Sequence, residues 1–173
     1  SYDPATFTYT FTLRSGVTFS DGSALAAADV AATLQRARTS QRYGALLAQV
    51  AAVSTGDGVV YVRLSSANTG FPALLDIPIV KSGTETSLTP VGTGPYQVSS
   101  DEEGVCLTAH TGWWAGASLP VDRIGLSSAR DRETVLYQFS SHDIQLITAD
   151  LTGTDPITAT GNISYQDADT TIL

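Results

Sequence analysis

Residues 6–13 alternate strictly between large apolar side chains and threonine, and no other stretch constrains the fold as strongly. In an extended chain Phe7, Tyr9, Phe11 and Leu13 lie on one face and the threonines lie on the other. Period-two alternation of aromatic and β-branched residues is typical of a strand with one buried face. The sequence therefore predicts a strand here whose apolar side chains join a hydrophobic core.

The residues after this strand predict a turn followed by a helix. Residues 19–22 form a turn sequence that ends in glycine, which tolerates a positive φ. Over residues 27–38, Val30 and Leu34 recur at helical spacing, and Asp29 in the first turn suits the positive end of the helix dipole. We expect this helix to pack Val30 and Leu34 against the strand, so that they join its four apolar residues in one core.

The rest of the chain alternates irregularly between short strands and helices. A glycine-containing turn at residues 56–58 predicts a hairpin between strands at 49–55 and 59–65. Other predicted strands cover residues 77–80, 96–99, 105–110, 123–127, 143–149 and 163–165, and predicted helical segments cover 43–49, 71–78 and 129–140. Residues 81–90 are predicted to be a loop. The expected fold class is α+β, with mixed sheet segments and interleaved helices.

Composition and charge exclude several classes of protein. The formal net charge is −8, and Lys81 is the only lysine. Such an acidic surface repels phosphate backbones, so no nucleic-acid partner is expected. No apolar run approaches the roughly 20 residues of a membrane-spanning helix, so direct membrane insertion is not expected either. The chain starts at Ser1 without a signal-peptide pattern, and we expect it to be a piece of a longer protein.

The side chains that usually carry chemistry are sparse. Cys106 is the only cysteine and lies in an apolar strand-like run, where a small buried packing role is expected. His110 and His142 have no cysteine or second histidine at ligand spacing, so neither a metal site nor another cofactor is predicted. No G-x-S-x-G nucleophile motif occurs, and the chain is not expected to be an enzyme.

Two further motifs have a structural interpretation. Residues 91–96 read VGTGPY but lack the lysine and the following helix of a phosphate loop, so they predict a tight turn in which glycine supplies an unusual φ. Asp101, Glu102 and Glu103 are adjacent in sequence, and their side chains diverge in a strand. They predict a solvated turn rather than an acid–base pair.

Taken in order, several motifs resemble one family. YTFTLRSGVTFSDGSALAAADVAATLQRAR is followed by IPIVKS, PVGTGPYQV, HTGWWAGASLPVDRIGL and FSSHDIQLI. This series resembles the family 5 extracellular solute-binding proteins, the peptide-, dipeptide- and nickel-binding receptors of ABC importers. The match departs from the usual pattern at Ala26, where the family has a threonine whose hydroxyl caps the helix, a loss of about 1 kcal/mol. Trp113 also stands where the family usually has tyrosine.

The resemblance implies a fold and a function. The fold would be part of the first lobe of a two-lobed, type II periplasmic-binding-protein-like receptor. Residues 1–90 would form its smaller subdomain, and residues 91–173 part of the main sheet leading toward the second lobe. The parent would be an extracytoplasmic protein, periplasmic or lipid-anchored, that traps a peptide or similar small solute by hinge closure and presents it to a membrane permease. Two alternatives remain open: a sensor domain of the same fold in a transcriptional regulator, and an enzyme of unrelated fold.

The same resemblance suggests four residues that face the solute. Tyr43 follows the first helix, where family members often send an aromatic ring toward the cleft. Trp113 and Trp114 offer aromatic surface, with packing at the entry to the larger sheet as the alternative. Lys81 could bind a carboxylate, or it could be a solvated loop lysine.

Overall fold

The computed structural model describes residues 1–147, and the alternating strand predicted above is the second of four in its first sheet. That sheet has the order β1-β2-β4-β3 with antiparallel pairing throughout. Its strands are β1 (Tyr2–Asp3), β2 (Thr8–Thr12), β3 (Val50–Gly56) and β4 (Val59–Leu64). The β3–β4 hairpin lies where the glycine-containing turn predicted it. β2 starts later than predicted because Phe7 has a φ of 53°, a left-handed conformation that cannot continue a strand.

Helix α1 (Ala27–Arg38) has the predicted bounds and packs against β3 and β4. Its N-cap residue Ala26 has no side-chain acceptor, as the sequence indicated. Asp29 replaces part of the cap, because its carboxylate accepts the Ala26 backbone N–H at 3.1 Å. The helix therefore begins with half of a capping box.

The core lies between α1 and the first sheet. Of the predicted core residues, Tyr9 and Leu34 are buried, while four are half-buried and pack against the core: Phe7, Phe11, Leu13 and Val30. The side chains that are most completely buried come from elsewhere: Phe19, Leu47, Val60, Val62, Leu64 and Phe71. The core prediction thus located the right face of the sheet but missed most of the side chains at the centre of the core.

Two predicted elements of this region are wrong. Residues 43–49 form successive turns rather than a helix. The Leu47 N–H bonds to Tyr43 at the α-helical spacing, but the Ala48 and Val50 N–H groups bond only three residues back, to Ala45 and Leu47. Residues 77–80 do not form a strand apart from a single bridge between Val80 and Gly92. Pro78 lacks the N–H that a ladder would need. The predicted helical turn near residue 71 is present as a 3₁₀ turn at Phe71–Leu74, and residues 81–90 form the predicted loop.

The second sheet contains three antiparallel strands in the order β5-β6-β7. They are β5 (Tyr96–Asp101), β6 (Gly104–Ala109) and β7 (Arg123–Gly125), close to the predicted positions. Both sheets belong to one compact unit, Ser1–Leu126. The predicted α+β class is confirmed, whereas the predicted subdivision at residues 90/91 stays a prediction.

The second unit, Ser127–Leu173, is described only up to residue 147. Helix α2 (Arg132–Ser140) starts after Asp131, whose carboxylate accepts the Thr134 N–H at 2.8 Å. The hydrogen bond to the carboxylate lowers the pKa of Asp131. The helix therefore begins three residues later than predicted. The predicted strand at 143–149 is wrong over residues 143–147, where the Asp143 and Ile144 N–H groups bond to Gln138, and its remainder and the strand at 163–165 lie outside the described residues.

Candidate functional site

Residues 91–95 connect the first sheet to the second, and we call this segment the joint. We call residues 1–90 the first region and residues 96–126 the second region. The first two carbonyl groups of the joint accept hydrogen bonds from the first region. The Val91 oxygen accepts the Lys81 backbone N–H at 2.8 Å, and the Gly92 oxygen accepts the Ser20 N–H at 2.9 Å. The bridge between Val80 and Gly92 adds to this attachment.

The next three carbonyl groups of the joint bond in the other direction. The Thr93 oxygen accepts the indole N–H of Trp114 at 3.0 Å. The Gly94 oxygen lies 3.3 Å from His110 Nδ1, and the Pro95 oxygen accepts the His110 backbone N–H at 2.8 Å. All five carbonyl oxygens of the joint therefore have a partner, two from one region and three from the other.

The glycines of the joint differ from the sequence prediction. Neither Gly92 nor Gly94 has a positive φ, and a Cβ at either position would meet only ordinary van der Waals contacts at 3.7 and 3.8 Å. The prediction that glycine supplies an unusual φ here is therefore wrong. The segment is fixed by its carbonyl partners rather than by a strained backbone.

The structure brings the two predicted tryptophans together beside the joint. The Trp113 and Trp114 rings meet edge to face, with centroids 5.8 Å apart and an interplanar angle of 65°. The Arg14 guanidinium lies over the Trp114 ring, 4.9 Å from its centroid. The indole nitrogen of Trp113 is buried and has no hydrogen-bond partner in the described structure. An N–H group in this state lacks an acceptor that a ligand or another segment can supply.

Lys81 contacts the joint through its backbone N–H, while its side chain contacts Asp21. Its ammonium group forms an ion pair with Asp21 at 2.5 Å. Hydrogen bonds from Lys81 and Ser23 lower the pKa of the Asp21 carboxyl. Because Asp21 already neutralises the ammonium, a solute carboxylate would compete with Asp21 for it.

The segment that carries Lys81 is held along α1 by three side chains of that helix. Thr33 Oγ1 donates to the Val80 carbonyl at 3.2 Å and accepts the Val80 N–H at 3.3 Å. The Asp29 carboxylate accepts the Ser82 N–H at 3.0 Å, and Arg36 pairs with Glu85 at 3.1 Å. Helix α1 thus fixes the chain on its way into the joint.

Tyr43 lies apart from the other three candidates. Its ring is half-buried and packs against the core of the first region, with the Arg42 guanidinium 5.3 Å from the ring centroid. Its backbone N–H bonds to Ser40 Oγ at 3.0 Å. In the described structure Tyr43 shares no hydrogen bond or ring contact with Lys81 or the tryptophans.

Arg14 and His110 take part in this arrangement although sequence reasoning did not select them. Arg14 belongs to the first family-like motif, directly after the alternating strand, and that position was the available signal. His110 was predicted only as a surface or core histidine, and it is in fact buried. No grouping of three or more metal-ligating side chains occurs within residues 1–147, and no described helix is long and apolar enough to cross a membrane.

The acidic turn beyond β5 is more organised than predicted. Arg123 pairs with both Asp101 and Glu103 at 2.8 Å, and the Arg123 guanidinium lowers the pKa of Asp101. Cys106 is buried as predicted, with its sulfur 3.1 Å from Ser99 Oγ. These contacts brace the second sheet and offer no exposed nucleophile.

Two cavities lie in the first region, away from the joint. One has a volume of about 180 Å³ and lies between α1, the sheet and residues 75–79, with an entirely apolar lining. The other, of about 320 Å³, adjoins the C-terminal end of α1 and includes Arg38 and Leu47. None of the four predicted site residues lines either cavity.

Comparison with known proteins identifies the family. The model of the family described as bacterial extracellular solute-binding proteins, family 5 Middle, matches residues 2–172. The glutathione-binding protein GsiB of Salmonella typhimurium is 32% identical over 143 residues, which cover 73% of this chain and 28% of that protein. This chain therefore corresponds to only part of such a protein.

Solved structures agree with this assignment. NikA from Staphylococcus aureus, in complex with Ni(L-His)2, superposes with a TM-score of 0.68 at 21% identity, covering 82% of this chain and 32% of NikA. The oligopeptide-binding protein AppA from Bacillus subtilis, in complex with a nonapeptide, gives a TM-score of 0.65 at 21% identity, covering 83% of this chain and 32% of AppA. These neighbours are type II periplasmic binding proteins, which confirms the predicted fold class. The chain belongs to the family 5 bacterial extracellular solute-binding proteins.

Proposed function

We propose that this chain is part of the solute-binding component of an ABC importer, and that its solute is a peptide or a similarly small amino-acid derivative. The observation that carries the proposal is the family match over residues 2–172. Glutathione, Ni(L-His)2 and a nonapeptide, the ligands named for the three relatives above, are all built from amino acids. They share carboxylate, amine or amide groups, which polar and aromatic side chains recognise.

The proposed mechanism requires more chain than this sequence contains. The sequence spans about three-tenths of the length of those relatives. In a two-lobed receptor, hinge closure surrounds the solute from both sides, and the closed form docks on the permease. We therefore assign part of one wall of the cleft to this chain. The parent acts outside the cytoplasm, in the periplasm or anchored to the outer surface by lipid.

Among the four candidate residues, Trp113 has the strongest support. Its indole N–H is buried and has no partner within residues 1–147, so a solute oxygen that reached it after a small ring movement would satisfy an existing donor. Trp114 supports Trp113 through the edge-to-face contact. Lys81 and Tyr43 remain candidates, although Lys81 is paired with Asp21 and Tyr43 packs against the core.

Neither Asp21 nor Asp101 is suited to general acid–base catalysis. Hydrogen bonds and ion pairs lower the pKa of both Asp21 and Asp101. Both carboxylates are therefore ionised well below neutral pH, whereas a general acid or base needs a pKa near the working pH. The relatives compared above are binding proteins rather than regulators or enzymes.

Calorimetry tests the proposal directly. The protein in which this sequence occurs is titrated with glutathione, an unmodified tripeptide, a nonapeptide and Ni(L-His)2. We expect at least one probe to bind at about micromolar Kd, which corresponds to about 8 kcal/mol of binding free energy. The 173-residue chain alone should bind the same probe at about millimolar Kd, because about half of that free energy would be lost with the missing contacts. Failure of all four probes to bind the longer protein would contradict the proposed solute class.

A matched pair of variants tests the assignment to Trp113. Trp113→Phe removes the unpaired N–H, so we expect weaker solute binding with thermal stability unchanged or raised. Trp114→Phe breaks the bond to Thr93, and we expect it to lower stability. Equal solute affinity in Trp113→Phe and the parent would exclude the indole N–H as a solute contact.

A further inference from the structure

We propose that Arg14 is a positioning residue for the solute site, a role that rests on the proposed function. Arg14 follows β2 of the first sheet, and Trp114 follows β6 of the second. The guanidinium 4.9 Å above the indole is a side-chain contact between the two regions that does not pass through the backbone of the joint. It therefore provides a second connection between them.

The contact engages a cation that has no carboxylate partner among the described residues. Three other basic side chains of the first unit pair with acids, namely Arg36 with Glu85, Lys81 with Asp21, and Arg123 with Asp101 and Glu103. Arg42, like Arg14, instead lies over an aromatic ring. Within residues 1–147 no carboxylate lies within ion-pair distance of Arg14. The tryptophan ring is thus its electrostatic partner, and a guanidinium over an indole is the favourable geometry for a cation–π contact.

Trp114 is held from two directions at once. Its N–H is fixed on the Thr93 oxygen of the joint, and its face is covered by Arg14. The edge-to-face contact between the two rings then orients Trp113, whose N–H has no acceptor within residues 1–147. Arg14 acts on the candidate solute contact through Trp114 and does not itself touch the solute.

The two tryptophans make this arrangement measurable, because they are the only two in the chain. Their near-ultraviolet circular dichroism and fluorescence report on the Trp113–Trp114 geometry without any solute. In the 173-residue chain, we expect Arg14→Gln to change both spectra while the far-ultraviolet spectrum stays the same. Arg14→Lys keeps the charge but not the planar stacking, so its spectra should lie between those of the parent and Arg14→Gln.

Arg63→Gln is the matched control, since Arg63 is an exposed arginine on β4 of the same sheet. We expect its tryptophan spectra to equal those of the parent. Unchanged spectra in Arg14→Gln, or equal changes in Arg14→Gln and Arg63→Gln, would overturn the proposal.

Solute affinity in the longer protein completes the test. We expect Arg14→Gln to weaken binding of the best amino-acid-derived probe about two- to fivefold, the range of one cation–π contact, with partial recovery in Arg14→Lys. Weaker binding with unchanged tryptophan spectra would overturn the positioning role and assign Arg14 a direct solute contact. Altered spectra with unchanged affinity would also overturn it. If the longer protein without any substitution binds none of the probes, the proposed function is contradicted, and with it the role of Arg14 at a solute site. The tryptophan spectra still decide, in that case, whether Arg14 orients the tryptophans.

Discussion

The two regions of the first unit differ in how they are held together. Residues 1–80 bury a contiguous set of large apolar side chains between α1 and a four-stranded sheet, and Val60 and Val62 within it are completely inaccessible. In the second sheet, residues 96–125, only Cys106 is a buried apolar residue, and His110 is the one buried polar residue among them. The two sheets therefore differ in core content more than in strand length.

The second sheet is ordered by directional contacts instead. Leu107 of β6 pairs with Val98 on one side and Ile124 on the other, but all three side chains stay half-exposed. Ladder hydrogen bonds and the joint supply the order that apolar burial supplies in the first region. The comparison teaches that the first region carries its own core, while the second depends on attachments to its neighbours.

Truncation of a core residue should have the largest effect on the free energy of unfolding, and its cost should differ between the two regions. Leu64 on β4 is 1% exposed, so Leu64→Ala is expected to cost about 2–5 kcal/mol of unfolding free energy. The comparison variant Val105→Ala on β6 truncates a smaller side chain that is 46% exposed, and we expect a cost below about 1 kcal/mol. Urea denaturation measures both. Equal costs would show that the second sheet has a core of its own.

Loss of the buried hydroxyl of Thr33 should have the next largest effect. Thr33→Val keeps the shape but leaves the N–H and carbonyl of Val80 without their partner at the entry to the joint. We expect a cost of about 1–3 kcal/mol, the usual penalty for unpaired buried polar groups. Thr39→Val, at an exposed hydroxyl on the end of the same helix, is the control and should be nearly neutral. A neutral Thr33→Val would show that α1 does not fix the entry to the joint.

The Asp21–Lys81 pair predicts a dependence of stability on acid pH. Because the pKa of Asp21 is lowered in the folded state, its contribution is fully present above the ordinary value of 3.8 and is lost as pH falls through the lower folded value. Asp21→Asn should lower Tm near neutral pH and flatten the loss of Tm below pH 4. Asp76→Asn, at an exposed position, is the control. Parallel Tm–pH curves for Asp21→Asn and the parent would contradict the role of the pair.

Restoring the missing helix cap should have the smallest effect and should sharpen the comparison by strengthening the first region alone. Ala26→Ser adds a hydroxyl at a position that already has extended backbone and a partner in Asp29. We expect a gain of about 0.5–1 kcal/mol in thermal or urea unfolding. A loss of stability would mean that the Asp29 contacts with Ala26 and Ser82 are disturbed by the new side chain.

Local signals in the sequence were sufficient for much of the fold. The alternation around Tyr9, the spacing of Leu34 within α1 and the glycine-containing hairpin turn each determine an element within a few residues. The second sheet was located by the same kind of signal. The helix predicted at residues 43–49 is absent because the backbone tightens to three-residue hydrogen bonds at Ala48 and Val50, which composition does not reveal.

Contacts between distant positions could not be predicted in this way. Phe19 was assigned to a turn, yet tertiary packing buries it completely. The stacking of Arg14 on Trp114 and the five carbonyl partners of the joint depend on how two sheets approach each other. The tryptophans were selected through the family resemblance, and no periodicity indicates that one indole N–H is paired while the other is not.

Native-state hydrogen exchange of the 173-residue chain tests the central comparison most directly. Amides in the β2–β4 ladder should exchange only through global unfolding, because the core of the first region must open to release them. Amides in the β5–β6 ladder should exchange about tenfold faster or more, through opening that leaves the first sheet intact. Equal protection in the two ladders, with the same response to denaturant, would contradict the account, since it would show that both sheets share one cooperative core.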